Sequence, residues 1–140
     1  LLMLLAFAIG DACNQLGTGH FVANWSKDWL SPQFLPALVF VISSFIAFST
    51  GTSWGTFAIM LAISIPMANI HGVELTLIIA ATLGGGIFGD HCSPISDTSI
   101  ISSMASASDH IDHVRTQLPY ALIGGLITTV LYLILGFAMI

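Results

Sequence analysis

Charge is what this sequence has least of: Asp, Glu, Lys and Arg together make up 6% of its 140 residues, against roughly 25% in an ordinary soluble domain. Positive charge is scarcer still. Lysine and arginine number 2, Lys27 and Arg115, against 7 acids, so the clustered cations that phosphate recognition requires are missing and a nucleic-acid partner is excluded. Cysteine occurs twice, as Cys13 and Cys92, each in or beside an apolar stretch. That implies no disulfide framework and leaves them as small buried thiols. The apolar start, Leu1 to Ile9, has no basic stretch before it, which argues against a secretory signal peptide. An initiating Met is also absent and Phe137 to Ile140 are still apolar; the chain reads as an excerpt of a longer polypeptide.

Apolar sequence fills the space, at 56% of residues, which is the composition of an integral membrane protein. The runs and their punctuation predict an all-α, polytopic chain with helices near 1–16, 34–49, 56–68, 75–88, 94–108 and 118–140. Leu118 to Ile140 is the one full-length span, 23 residues without a charge, where about 20 suffice. Asp11, Asn14 and Gln15 fall on one face of the first helix. Residues 17–33 form a polar linker in which His20 is solvated and Trp25 and Trp29 mark an interfacial amphipathic segment. Phe34–Phe48 and Thr56–Ala68 are each short for a crossing, and the Gly/Ser/Thr tip between them suggests a re-entrant hairpin or a broken helix. His71 and Glu74 belong to a turn with an interfacial role only. Gly84, Gly85 and Gly86 permit close helix approach, as do Gly124, Gly125 and Gly136.

The chain is organised around Gly89-Asp90-His91-Cys92-Ser93-Pro94-Ile95-Ser96-Asp97-Thr98. Pro94 breaks a helix there, with Ser93 as the expected N-cap and Pro94 as the first residue of the next one. Two short, hydroxyl-rich interruptions in successive apolar segments point to a transporter binding site. The first supplies Thr50, Thr52 and Ser53, and the second supplies Asp90, His91, Ser93, Ser96, Asp97 and Thr98. Carboxylate, hydroxyl and carbonyl oxygens suit a hard cation such as sodium. Two acids held from water repel each other, and either a proton or a sodium ion on Asp90 and Asp97 relieves that. Competition for the same oxygens then gives exchange without a covalent step. His91 could relay the proton. Asp11, Asp109 and Asp112 are secondary candidates, and no cofactor is implied.

Other chemistries fit less well. A serine, His91 and Asp97 do not make a catalytic triad without geometry, and no Gly-x-Ser-x-Gly elbow is present. Asp109-His110-Ile111-Asp112-His113 resembles a metal-ligand cluster, and would make a metal-dependent membrane enzyme, but a solvated boundary loop explains it as well. A pH-sensing role for His110 and His113 is a further reading. With one cation in each of two loops, Lys27 and Arg115 leave topology open: the loops share a side if both broken segments cross and lie on opposite sides if one is a re-entrant hairpin.

In three stretches, Phe48 to Phe57, Gly89 to Thr98 and Asp109 to Tyr120, the sequence resembles the NhaC-type sodium/proton antiporter family. The resemblance implies one half of an inverted-repeat transporter with a re-entrant hairpin and interrupted helices, here the C-terminal repeat. It implies a bacterial cytoplasmic membrane, with lipid, the missing N-terminal repeat and a homo-oligomer as partners. Sodium/proton antiport is the activity implied, and exchange of malate for lactate or other organic anions is the alternative. A fragment serving only as an assembly module is a third.

Overall fold

The computed structural model describes residues 2–28 and 30–139, and the regular elements among them are all helical. In chain order they are α1 (Leu2–Gln15), α2 (Thr18–Ser26), a 3-10 turn (Pro32–Phe34), α3 (Leu35–Thr50), α4 (Ser53–His71), α5 (Leu75–Cys92), α6 (Asp97–Ala105) and α7 (His110–Met139). Among the described residues, Pro32–Thr50, α4, α5 and α7 are long and apolar enough to cross a membrane.

Small residues decide how these helices meet. A Cβ on Gly85 would run into the Phe40 carbonyl, and one on Gly89, one turn later, into the Ser44 carbonyl. The pairing advances four residues on both helices at once, so α3 and α5 lie side by side and parallel, with backbones in contact where a methyl group would not fit. Helix α4 runs back alongside this pair, tied to α5 by a buried hydrogen bond between Ser64 and Thr82 at 3.0 Å. Helix α7 runs the other way: Gly125 faces the Phe88 ring and Gly136 faces the Gln33 carbonyl. The Phe40 ring stacks between Phe88 and Tyr132, with centroids 5.8 and 5.3 Å away. Leu35, Val39, Phe40, Ile78 and Ala81 form the centre of the core. The end of α3, the start of α4, the end of α5, α6 and the start of α7 therefore gather at one end of the bundle. Lys27 lies before α3 and Arg115 in the second turn of α7, which places the two cations at opposite ends.

Four expectations are corrected. The half-length arms at 34–49 and 56–68 are longer: the 3-10 turn extends the first back to Pro32 and α4 continues through Pro66 to His71, 19 residues each. Pro66 is accommodated because its ring packs on Gly19 of α2, where a Cβ would stand 2.8 Å away. The polar linker is partly helix, since Gly19, Ala23 and Ser26 form a buried stripe of small residues laid on α4, and Ser26 Oγ lies 3.1 Å from His71 Nε2. The long span starts at His110, because Asp109 caps it: Asp109 Oδ1 accepts the Ile111 and Asp112 amides at 2.9 and 3.2 Å. Ser93-Pro94 does not open a helix. Helix α5 runs on to Cys92, Ser93 and Pro94 sit in a loop, and the N-cap of α6 is Ser96, whose Oγ accepts the Thr98 amide at 3.2 Å. Trp29 falls outside the described residues, while His20 is exposed as expected.

Candidate functional site

The last turn of α5 carries Asp90 into the protein, where 2% of it is exposed. Its carboxylate accepts the Ser96 hydroxyl at 2.7 Å on Oδ1 and the Thr98 hydroxyl at 3.3 Å on Oδ2. Ser96 Oγ and Thr98 Oγ1 are themselves 2.7 Å apart. Three side chains thus present four oxygens within a hydrogen-bonded knot. No arginine, lysine or histidine pairs with Asp90 among the described residues, and the negative end of the α5 dipole lies next to it. A buried carboxylate in these surroundings lacks the partner that normally compensates it.

Local sequence explains the knot. The Ser93 amide closes a turn on the Asp90 carbonyl at 3.1 Å, and Pro94 cannot continue the helix. Ser93 and Ser96 are fully buried, and Ser93 Oγ accepts the Ile95 amide at 3.4 Å. Two residues after Pro94 the chain turns in again, so that Ser96 serves at once as cap of α6 and donor to Asp90. Two further bonds hold the end of α5: the His91 carbonyl accepts from Ser99 Oγ and from Gln117 Nε2 of α7, both at 3.3 Å.

The two interruptions meet. Gly51, with φ +68°, turns the chain from α3 into α4, and a Cβ on it would be 2.9 Å from the Ile95 carbonyl. The first interruption does not, however, bring its hydroxyls to the carboxylate. Thr50 Oγ1 donates to the Ile46 carbonyl at 2.9 Å, and Thr52 and Ser53 are half-buried with no bond to Asp90 among the described residues. Asp97 is exposed and shares no hydrogen bond with Asp90, so the two acids are not a shielded pair here.

The remaining candidates lie apart. His91 is exposed, its Nδ1–H donating to the Ile87 carbonyl at 2.9 Å. Asp11 accepts from Gln15 on its own helix at 2.7 Å, Asp109 is spent on the cap of α7, and Asp112 is exposed. Among the described residues no group of three or more His, Cys, Asp or Glu could hold a metal ion. Both cysteines are free; Cys92 is buried and Cys13 half-buried. Beside the knot, a cavity of about 160 Å3 is lined by His91, Thr98, Ser99, Ser102, His113 and Gln117. In the sequence His110 stands out only as a metal-ligand or pH-sensing candidate, Gly89 only as the start of the central stretch, and Gln117 not as a site residue. The four-residue spacing of Gly85 and Gly89 was the available signal for Gly89.

The sequence profile described as the Na+/H+ antiporter family matches residues 1–137. An uncharacterized protein of Haemophilus influenzae is 43% identical over 97% of the chain and 26% of its own length. The malate-2H(+)/Na(+)-lactate antiporter of Bacillus subtilis is 33% identical over 81% of the chain and 24% of its own length. The arginine/ornithine antiporter ArcD of Halobacterium salinarum is 33% identical over 86% of the chain and 25% of its own length. The chain spans about a quarter of the length of these relatives. No solved structure matches it. With its apolar helices and this match across nearly all its residues, the chain is part of an integral membrane protein and belongs to the Na+/H+ antiporter family.

Proposed function

We propose that this chain works within a longer secondary antiporter that exchanges sodium for protons, and that Asp90 is the group for which the two compete. The observation that carries this reading is a carboxylate with 2% exposure, two hydroxyl donors and no cationic partner among the described residues. Either a proton or a sodium ion supplies the missing charge. Sodium would take Asp90, Ser96 and Thr98 as oxygen ligands, and a proton would take the same carboxylate. Binding is mutually exclusive, so moving the site from one side to the other exchanges one ion for the other. No covalent step is involved, and the chain is not an enzyme on this reading.

Thr98 lies on the wall of the cavity that His91 and His113 also line; that cavity is the proposed route between water and Asp90, with Asp97 at the rim and His91 passing the proton. Thr50, Thr52, Ser53 and Ser93 are proposed as donors when the surrounding transporter closes on the site. The chain is proposed as the C-terminal half of an inverted repeat, its α3–α4 turn acting as a re-entrant element. The N-terminal half, lipid and a second copy would cover exposed apolar faces such as that of α7, and a bacterial cytoplasmic membrane would house it.

The test is Asp90→Asn in the full-length transporter, reconstituted in vesicles. Sodium-dependent proton flux should be lost, and unchanged flux removes Asp90 from the mechanism. A relative named for malate, lactate, protons and sodium at 33% identity supports a second reading, sodium-coupled exchange of small carboxylates. Flux that responds to added malate or lactate would select it.

A further inference from the structure

The loop that delivers Ser96 to Asp90 is secured by a residue that touches neither acid nor hydroxyl of the knot. His110, first residue of α7, reaches back across 16 positions to set its Nε2 at 2.7 Å from the Pro94 carbonyl. A carbonyl only accepts, so Nε2 carries the proton of that bond. Nδ1 lies 3.2 Å from Ser103 Oγ in α6, a 2% exposed hydroxyl whose one proton also faces the Ile100 carbonyl at 2.8 Å. One imidazole therefore joins the loop, α6 and the start of α7.

Little else holds the loop on that side. Pro94 has no amide to give, and Pro94 and Ile95 are exposed. The bonds inside the loop are long, 3.3 Å from the Ser96 amide to the Ser93 carbonyl and 3.4 Å from the Ile95 amide to Ser93 Oγ. The His110 bond is shorter than either and comes from a different helix.

We propose that His110 is a positioning residue for cation binding: by fixing Pro94 it keeps Ser96 and Thr98 on Asp90, and so sets the affinity for sodium without contacting the ion. This rests on the reading of Asp90 as the ion site. Removing the strap loosens two ligands but leaves the carboxylate, which weakens binding and spares turnover.

The experiment is sodium-dependent proton flux of the full-length transporter in vesicles, normalised to inserted protein, for His110→Ala, His110→Gln, His110→Asn and Asp90→Asn. His110→Ala should raise half-saturating sodium about 3- to 10-fold, the loss of one ordinary hydrogen bond, with maximal flux within about 2-fold. His110→Gln, whose amide nitrogen reaches the place of Nε2, should restore most of the affinity, and His110→Asn, too short to reach Pro94, should behave like His110→Ala. If His110→Ala does not accumulate, the contrast between the Gln and Asn variants decides. Unmoved half-saturation in His110→Ala or His110→Asn, a fall in maximal flux alone, or His110→Gln no better than His110→Asn overturns the strap while Asp90→Asn still abolishes flux. Flux that survives in Asp90→Asn overturns the ion site itself.

Discussion

The two interruptions are both rich in hydroxyls and lie at the same end of the bundle, yet only one of them gathers its hydroxyls on a carboxylate. At the end of α3, the hydroxyls of Ser49 and Thr50 donate to the carbonyls of Phe45 and Ile46 one turn back, at 2.8 and 2.9 Å, and Thr56 donates to the Thr52 carbonyl at 2.9 Å. Each satisfies itself within its own stretch of chain, as hydroxyls in helices commonly do. After α5 the chain offers Ser96 and Thr98 a different acceptor, the buried carboxylate of Asp90 six and eight residues earlier. A hydroxyl becomes part of a site when a charge out of water outcompetes the nearest carbonyl. The lesson is that the acid selects the ligands, and the count of hydroxyls does not.

The most disruptive way to break this comparison is to separate the two ends. Gly89→Ala places a methyl group on the Ser44 carbonyl and should destabilise the bundle by about 3 kcal/mol or more, the upper range for overpacking, read as a lowered melting temperature in detergent. Gly124→Ala, with nothing within 4 Å of the new Cβ, should stay within about 0.5 kcal/mol.

Next in size, Ser96→Ala removes a hydrogen bond to a charged group, roughly 1.5–3 kcal/mol, and should raise half-saturating sodium about 10- to 100-fold. Thr50→Val should change it less than about 2-fold, and a large effect there would place the first interruption in the site. Gly51→Ala forces an alanine to φ +68° and against the Ile95 carbonyl, at a cost of about 1–2 kcal/mol. It should lower both the melting temperature and sodium affinity if contact between the interruptions matters.

The smallest effect lies at the other end of α5, where Glu74 caps the helix from the surface. The Thr76 hydroxyl at 2.9 Å and then the Leu77 amide at 3.0 Å hold its carboxyl below its ordinary value of 4.5. A depressed acid stabilises the fold above the ordinary value and loses that contribution as pH falls through the depressed one. Melting temperatures of the wild type and Glu74→Ala should therefore differ slightly at neutral pH and converge below 4.5.

Much of the architecture was legible because it follows from local chemistry. The uncharged stretch from Leu118, the glycines of α5 and the break at Pro94 each have a reason in the chain itself. Where the reading failed, a tertiary partner intervened. Residues 18–26 look polar, but their small face is covered by α4; the arm placed at 56–68 runs on to His71, with α2 packed over it. The polar segment at Asp109 reads as a loop, but its first acid is a cap.

Sequence alone determined that this chain lies in a membrane, that its helices pack through glycine, and that acids and hydroxyls gather around Pro94, since low charge, missing side chains and a missing amide act at the residue where they occur. Only the tertiary structure decided that Asp90 faces inward and Asp97 outward, that Thr50 turns to its own helix, and that His110 fastens the loop. Those outcomes depend on how α6 is rotated after the break and on which helix covers it, and six residues of sequence between two acids do not specify a rotation.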